Sequence, residues 1–557
     1  MTVMTGTYGL LEMLRAENVK YIFGNPGTSE AAIMDGLEDF PDIEYILVVQ
    51  EGVAVGMADA YARATGKVGF ISLHIDNGLA NAFSLLADSN YAGTPLVITA
   101  GNKDVRKLAE GRSDLARMAE PFCKWSVEIT HPDQYPNVLR RAFLEARTPP
   151  TGPVFVSFSA NSLDDEADMD IYPSSTNIYL PDPHASSVKR ATGLLQSSKH
   201  PIMLVGDRVG ENDAIEETVQ LAEQIGARVY GHVSTQVNFP TNHPQYLGKL
   251  PWASIRTENT REKLEKSDVV LAIGCPVFSD YFYVPEKVLH NQSSLIHIDT
   301  NLGEIGKTER TTLGIHASPK KTLSLISREL SENITGSEIE TAKVRKLEIE
   351  AESLNLRKKF IEVANEESPT APIGVGAMAK AISENIPANS VVFDDSVSSG
   401  GMLHSAVKFS RPKSYFGSRG GAIGWGMGSG LGLKLANPDR PVFAIVGDGS
   451  AMMTIQALWT SVNSKIPVIF IICNNASYRV LKVNMNIYKE DVLGQKDYSS
   501  KYLNMDFPIP FDFKAIADAF GAKGYRIEDI KQLGPTIKEA IDLNETTVID
   551  VIIDGTI

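Results

Sequence analysis

The stretch that most constrains this chain runs from Pro441 to Lys482, PVFAIVGDGSAMMTIQALWTSVNSKIPVIFIICNNASYRVLK. Its two apolar runs, Val442 to Val446 and Val468 to Cys473, are short and rich in β-branched residues, so each reads as a buried parallel strand. Ala451 to Ser464 supplies a helix between them. The first strand ends on Gly447-Asp448-Gly449 and the second on Asn474-Asn475. Open α/β sheets bind ligands just outside the carboxyl ends of their strands. A carboxylate and a carboxamide there are hard oxygen ligands for a divalent ion, and Mg²⁺ usually shares such a site with phosphate oxygens. The glycines let backbone approach a phosphate closely, and the helix start offers free N–H groups.

A chain of 557 residues exceeds one ordinary domain and suggests about three. Its hydrophobic content of 43% and charged content of 22% fit a soluble globular protein. A net charge of −15 argues against a nucleic-acid or anionic-membrane surface, because either partner needs a basic face. Cys123, Cys275 and Cys473 lie far apart and read as small buried hydrophobes in a reducing compartment. The N-terminal residues lack a basic segment followed by an apolar core, and no apolar run reaches membrane-spanning length. A cytoplasmic protein without membrane or nucleic-acid partners is therefore expected.

Along the chain, apolar runs at Tyr21 to Phe23, Tyr45 to Val49, Gly69 to Leu73, Leu96 to Thr99 and Val154 to Phe158 alternate with helical stretches. They predict a doubly wound parallel sheet over residues 1–180. Ile171 to Ser187 is rich in proline and serine and reads as a linker. A second alternation over 188–340 includes Pro201 to Val205, Arg228 to Tyr230, Val269 to Ile273 and Leu295 to Ile298. It carries no GxGxxG, so its strand-end glycines Gly206 and Gly274 read as structural. Glu329 to Glu367 is charged and helical in pattern, a surface connector, and a third alternation fills 368–557. The fold class expected is α/β, with three doubly wound parallel-sheet domains, the first and third similar in length and pattern.

GDG, then residues 450 to 473, then NN resembles the signature of thiamine diphosphate enzymes. The resemblance implies that Asp448, the Asn475 side chain and the Ser477 carbonyl hold Mg²⁺. It places Gly449 and Ser450 in the same diphosphate cradle. In VVQEGVAVGMADAYA, Glu51 is the acid at the junction between an apolar strand and a small-residue helix, where desolvation disfavours its charged form. That stretch is similar to the family segment whose glutamate bonds N1′ of the aminopyrimidine.

The resemblance runs nearly end to end and is nearest to the benzoylformate decarboxylase branch, which includes acetolactate-synthase-like proteins. FGNPGTSE matches the loop with a substrate-binding hydroxyl, here Thr28 with Ser29 beside it. ISLHIDNGLANA matches the loop with an active-site histidine, here His74. Asp394-Asp395-Ser396-Val397-Ser398 matches a diphosphate-contacting turn, with Ser398 the hydroxyl, and SRGGAIGWGMG matches the segment that props the cofactor, here Ile423. Two positions depart from the branch. Its second histidine falls on Tyr281, a phenol that at its ordinary pKa does not relay protons at neutral pH as imidazole does. Asn484 and Val480 stand where aryl substrates meet a phenylalanine and a small residue, so Tyr281 and Asn484 are candidate substrate-wall residues.

The activity implied is thiamine diphosphate- and Mg²⁺-dependent decarboxylation of a 2-oxo acid to an aldehyde. The homodimer is the minimum unit and a homotetramer is usual in the family. Acetolactate-synthase-type carboligation and a 2-hydroxyacyl-CoA lyase are the rivals, and a catalytically silent cofactor-binding protein is a more distant one.

Overall fold

The computed structural model describes residues 2–175, 180–250, 258–278, 287–496 and 501–557. Three six-stranded parallel sheets carry the chain. The first contains β1 (Tyr21–Gly24), β2 (Glu44–Leu47), β3 (Gly69–His74), β4 (Leu96–Asn102), β5 (Trp125–Ile129) and β6 (Val154–Ser159), in the order β2-β1-β3-β4-β6-β5. The second contains β7 (Pro201–Val205), β8 (Arg228–Gly231), β9 (Tyr246–Lys249), β10 (Val269–Ile273), β11 (Ser294–Asp299) and β12 (Leu313–His316), in the order β9-β8-β7-β10-β11-β12. The third contains β13 (Val391–Asp395), β14 (Tyr415–Gly417), β15 (Val442–Gly447), β16 (Ile469–Asn474), β17 (Lys523–Ile527) and β18 (Thr547–Ile552), in the order β14-β13-β15-β16-β18-β17. The first and third sheets therefore share one strand order, and the middle sheet has the other common doubly wound order, that of dinucleotide-binding folds.

At the middle sheet's switch point, between β7 and β10, the crevice is filled from within. Arg208 meets Asp299 through Nε at 2.6 Å and Nη2 at 2.7 Å, and Asp299 has no exposure. Gly206 lies so close to Cys275 that an added Cβ would come within 2.4 Å of the Cys275 Cβ. The structural reading of Gly206 and Gly274 agrees with this packing.

Six helices position the rest: α1 (Glu51–Thr65), α2 (Ile75–Ala92), α3 (Gly336–Glu366), α4 (Trp425–Ala436), α5 (Asp448–Met453) and α6 (Arg479–Ile487). Helix α1 of the first domain lies parallel against α4 of the third. A Cβ on Gly428 would fall 2.8 Å from the carbonyl oxygen of Val53, and one on Gly432 would fall 2.1 Å from that of Met57. Small residues at these positions let two backbones touch, so a single apolar core runs from Phe23 and Ile71 through Val53 and Met57 to Trp425, Leu431 and Val446. Arg419 pins all three domains where they meet, bonding Glu211 at 2.7 Å and the Thr94 hydroxyl at 3.2 Å.

Several local expectations need correction. The helix expected over Ala451 to Ser464 starts earlier, at Asp448, and breaks into α5 and Ala457–Asn463. The connector expected over Glu329 to Glu367 is two helices, Pro319–Asn333 and α3, parted where Thr335 caps α3 and Glu338 bonds back to the Thr335 N–H at 2.7 Å. The last residues assigned to the linker, Ser186 and Ser187, already belong to the helix Ala185–Gln196. All three cysteines are free and buried, and among the described residues no helix is long and apolar enough to cross a membrane.

Candidate active site

Two groups of polar side chains stand at the carboxyl ends of the first and third sheets. Strand β3 ends at His74, and α2 begins at Ile75 with φ at 37°, a conformation that a β-branched residue rarely adopts. The imidazole Nδ1 lies 2.9 Å from Ser29 Oγ and 2.9 Å from Glu30 Oε2. Glu30 is fully buried, yet its oxygens are satisfied: Oε1 accepts from the Gly101 N–H at 2.9 Å and Ser29 Oγ at 2.7 Å, and Oε2 from the Gly27 N–H at 2.9 Å. Ser29 spends its proton on Glu30, so His74 Nδ1 carries a hydrogen and donates. Nε2 has no partner among the described residues and is left to exchange a proton.

Glu51 is the first residue of α1 and is 6% exposed. It does not cap the helix, because the Gln50 side chain accepts from the Val53 N–H at 3.1 Å. Instead Asn25 Nδ2 donates to Oε1 at 3.1 Å and Asn81 Nδ2 to Oε2 at 2.9 Å. The setting is thus less apolar than its small-residue neighbours suggested: each oxygen has one carboxamide donor.

In the third sheet Asp448 opens α5 directly after β15. Burial pushes its carboxyl up to about 6, although the Gly449 N–H donates at 2.7 Å and the Asn475 N–H at 3.1 Å. The Asn475 Oδ1 accepts from the Ser477 N–H at 3.0 Å, and the intervening Ala476 has φ at 51°. Gly449 admits the Tyr478 ring, which would come within 2.4 Å of any Cβ placed there. A cleft of about 540 Å³ opens beside Asn475 and Ser477, bounded by Lys482, Tyr502 and Asp554. Of the asparagine pair, Asn474 faces inward and bonds Asp550 at 2.9 Å.

Ser450 is held from two sides. Its hydroxyl donates to Asp395 and accepts from the Gly424 N–H at 2.8 Å, while Asp395 Oδ2 also accepts from the Gly426 N–H at 2.8 Å. Asp395 is wholly buried, burial pushes its carboxyl up to about 6, and its Oδ1 has no partner among the described residues. This clip fixes the segment that carries Ile423, which is half-buried just before α4.

Of the remaining candidates, Thr28 is exposed, Ser398 is half-buried after the strained Val397 (φ 47°), and Asn484 is half-buried on α6. Tyr281 lies outside the described residues. The structure thus brings Ser29, His74 and Glu51 to the end of the first sheet, and Asp448, Gly449, Ser450, Asn475 and Ser477 to that of the third. Among the described residues no hydrogen bond or ion pair joins the two groups. Sequence reasoning assigned no role to Glu30, Asn25, Asn81 or Asp395, although all four lie in the quoted motifs. The available signal was a polar side chain in a stretch otherwise headed for the core.

Among the described residues no three His, Cys, Asp or Glu side chains cluster as a metal site. The polar groups at Asp448 are of another kind, one carboxylate beside the Asn475 carboxamide, which suits a hard cation that keeps other oxygen ligands. A desolvated carboxyl whose ionised form lacks a cation fits a site completed by a divalent ion.

Family models for the thiamine pyrophosphate enzymes match all three parts of the chain: the N-terminal TPP binding domain over residues 4–119, the central domain over 188–326 and the C-terminal TPP binding domain over 395–551. The chain belongs to the thiamine pyrophosphate enzyme family. It is 29% identical to benzoylformate decarboxylase of Pseudomonas aeruginosa over 99% of this chain and 98% of that one. It is 28% identical to a probable acetolactate synthase large subunit of Methanococcus aeolicus, over 99% of this chain and 92% of that one. Among solved structures it resembles the thiamine diphosphate-dependent 4-hydroxybenzoylformate decarboxylase of Rhodococcus jostii, with a TM-score of 0.84, 26% identity and 99% of both chains covered. As a thiamine pyrophosphate enzyme, the chain binds this cofactor through its first and third domains.

Proposed function

We propose that the protein is a thiamine diphosphate- and Mg²⁺-dependent 2-oxo acid decarboxylase that releases carbon dioxide and an aldehyde. The observation that carries this reading is the His74 ring held through Nδ1 by Glu30 and Ser29, with Nε2 free, at the same sheet end as Glu51. Decarboxylation to an aldehyde consumes one proton, which must be delivered to carbon. A positioned imidazole with one nitrogen turned to the substrate serves that step.

When bound, thiamine diphosphate supplies the electron sink that makes loss of carbon dioxide feasible. Asp448, Asn475 and the Ser477 carbonyl would hold Mg²⁺ against its diphosphate, with Gly449 and the backbone of Ser450 in the cradle and Ser398 as a further donor. The hydroxyl of Ser450 is committed to Asp395 and Gly424, so its part is to position the turn. Ile423 would pack against the bound cofactor. Glu51 would exchange a proton with the aminopyrimidine, and its two carboxamide partners keep it in place. Thr28, Ser29, Tyr281 and Asn484 are proposed to line the substrate.

We take the domains as residues 1–180, 188–340 and 368–557, and the working unit as a homodimer at minimum, with a tetramer as its usual form. In that dimer Glu51 of one chain serves the cofactor held by Asp448 and Asn475 of the other. Buried free thiols suit a cytoplasmic enzyme.

Full-length similarity to an acetolactate synthase subunit supports a second reading, carboligation, in which a second carbonyl compound rather than a proton captures the acyl carbon. A panel of 2-oxo acids supplied with thiamine diphosphate and Mg²⁺ separates the two. Aldehyde equal to the carbon dioxide released is expected. Carbon dioxide accompanied by a hydroxyketone or acetohydroxy acid and no aldehyde would overturn the decarboxylase reading in favour of ligation.

A further inference from the structure

A second cleft, of about 550 Å³, lies between the middle and third domains, away from the filled switch point of the middle sheet. Its floor is Lys249, the last residue of β9, and Arg357 of α3 and Lys408 stand around it. Among the described residues no carboxylate lies within ion-pair distance of any of the three. Among the described residues the Lys249 ammonium meets Tyr415 alone, the hydroxyl at 3.3 Å and the ring centroid at 4.7 Å. The two carboxylates that act on it electrostatically are engaged elsewhere. Asp394 accepts from Ser396 Oγ at 2.6 Å and Tyr415 OH at 3.0 Å, and Asp207 accepts from Asn238 Nδ2 at 2.9 Å and pairs with Arg419 at 3.3 Å. Burial holds Lys249 below the usual lysine range, outweighing the opposing pull of Asp394 and Asp207.

Three cations and one carboxylate, Asp394, line the recess, and Arg357 and Lys408 otherwise meet only the carbonyls of Asn242 at 3.1 Å and Ser405 at 3.4 Å among the described residues, so the recess is net positive in a chain of net charge −15. Leu247, Leu356 and Phe360 give the same recess an apolar wall, and the hydroxyls of Ser353 and Ser405 add polar groups. Val397, 44% exposed and in its strained conformation, forms the side nearest the Ser398 turn.

We propose that this cleft is a binding site for a small organic phosphate, separate from the cofactor cradle. The dianionic group sits among Lys249, Arg357 and Lys408, and its organic body lies against Leu356 and Phe360. Three cations match a phosphate dianion better than a monocarboxylate, and a site of this volume accommodates a drug-sized molecule. Because Val397 is shared with the Ser398 turn, occupancy also shifts cofactor affinity, by the roughly fivefold or more typical of coupled sites.

The test is calorimetric titration of phenyl phosphate into the full-length protein loaded with thiamine diphosphate and Mg²⁺, at constant ionic strength. One site per chain is expected. Lys249→Met, which keeps the aliphatic stem, should weaken binding about tenfold or more, and the exposed Lys408→Ser should weaken it a few-fold even if the first variant folds poorly. No binding to the loaded protein, or equal affinity in wild type and Lys408→Ser, would overturn the proposal. So would binding that disappears in Asp448→Ala while surviving in Lys249→Met, since the phosphate would then be in the cofactor cradle. Benzoate binding as tightly as phenyl phosphate would overturn the assignment to phosphate. A substrate KM raised in Lys249→Met, with phenyl phosphate acting as a competitive inhibitor, would make the cleft part of the substrate pocket and overturn its separateness.

Discussion

The first and third sheets have the same strand order, so their ends can be compared position by position. His74 pairs with Gly101 across β3 and β4, and Gly447 pairs with Cys473 across β15 and β16. One residue further on, Ile75 takes the place of Asp448. Asn102 takes that of Asn474, and Lys103 that of Asn475. The two inner asparagines do the same work, since Asn102 bonds Glu128 on β5 at 3.1 Å and Asn474 bonds Asp550 on β18 at 2.9 Å. The outer positions are opposites. Where the third sheet offers a carboxylate and a carboxamide, the first offers an isoleucine and an ammonium, which repel a cation. The helices that follow the second strand of each sheet differ in the reverse sense: α1 opens on Glu51 and α4 on Trp425. One frame used twice thus carries two dissimilar polar ends, which we propose serve as an acid–base half and a metal half.

The metal half should break first. Asp448→Ala is expected to lose Mg²⁺ and thiamine diphosphate on desalting while keeping its circular dichroism spectrum. Its cofactor affinity should fall by more than the roughly 100-fold that loss of an outer-shell metal partner costs. Unchanged affinity would remove the metal role from the third sheet. The acid–base half should fail differently. Glu51→Gln is expected to retain cofactor and lose about 10²- to 10⁴-fold in turnover, with slowed hydrogen–deuterium exchange at the cofactor's C2. A normal exchange rate would leave the first sheet without its acid.

The seam between the first and third domains of one chain is tested by Gly432→Ala. The new methyl would press on the Met57 backbone rather than on a flexible side chain, so a loss of about 1–3 kcal/mol is expected. Gly421, with open space around its Cβ position, is the control that should melt as wild type.

Sequence pattern located the central strands and one edge strand, Glu44–Leu47, and missed the other edges. Trp125–Ile129, Tyr246–Lys249, Leu313–His316, Tyr415–Gly417 and Lys523–Ile527 had no counterpart in the apolar runs, and each lies at a sheet edge. A central parallel strand is covered on both faces and becomes a continuous apolar run. An edge strand is wetter, as in Leu313–His316, where buried and exposed residues alternate. The placement of Glu51, His74, Asp448 and Asn475 at or just past strand ends was legible because those ends are marked by a change from apolar to polar residues. Glu30 was not, since nothing local shows that an acid after Pro-Gly-Thr-Ser will be buried against a strand some 70 residues away, where Gly101 donates to it (|i−j| = 71).

Glu30 provides a smaller test. Glu30→Gln keeps the shape but puts an NH₂ group among four donors, loosening His74 without removing it. About a tenfold fall in kcat is expected, with cofactor affinity unchanged and a displaced acidic limb in the pH–rate profile. A wild-type profile would show that the imidazole is held by other means.

The smallest effect is expected at Ile75, the residue that stands where the other sheet has Asp448. Its φ of 37° lies in the left-handed region, where a β-branched side chain is strained by about 1–3 kcal/mol and glycine is not. The conformation turns the chain sharply between β3 and α2, and His74 is the last residue before that turn. Ile75→Gly relieves the strain but also removes a half-buried side chain and adds chain entropy to the unfolded state. These terms oppose one another, so a stability change within about 1 kcal/mol is expected, smaller than the several kcal/mol typical of deleting an unstrained buried isoleucine. If the turn aims His74, kcat should fall a few-fold in the same variant, because the ring is then held by Glu30 and Ser29 alone. A large loss of stability with unchanged kcat would mean that Ile75 is ordinary packing and that its backbone contributes nothing to the acid–base half.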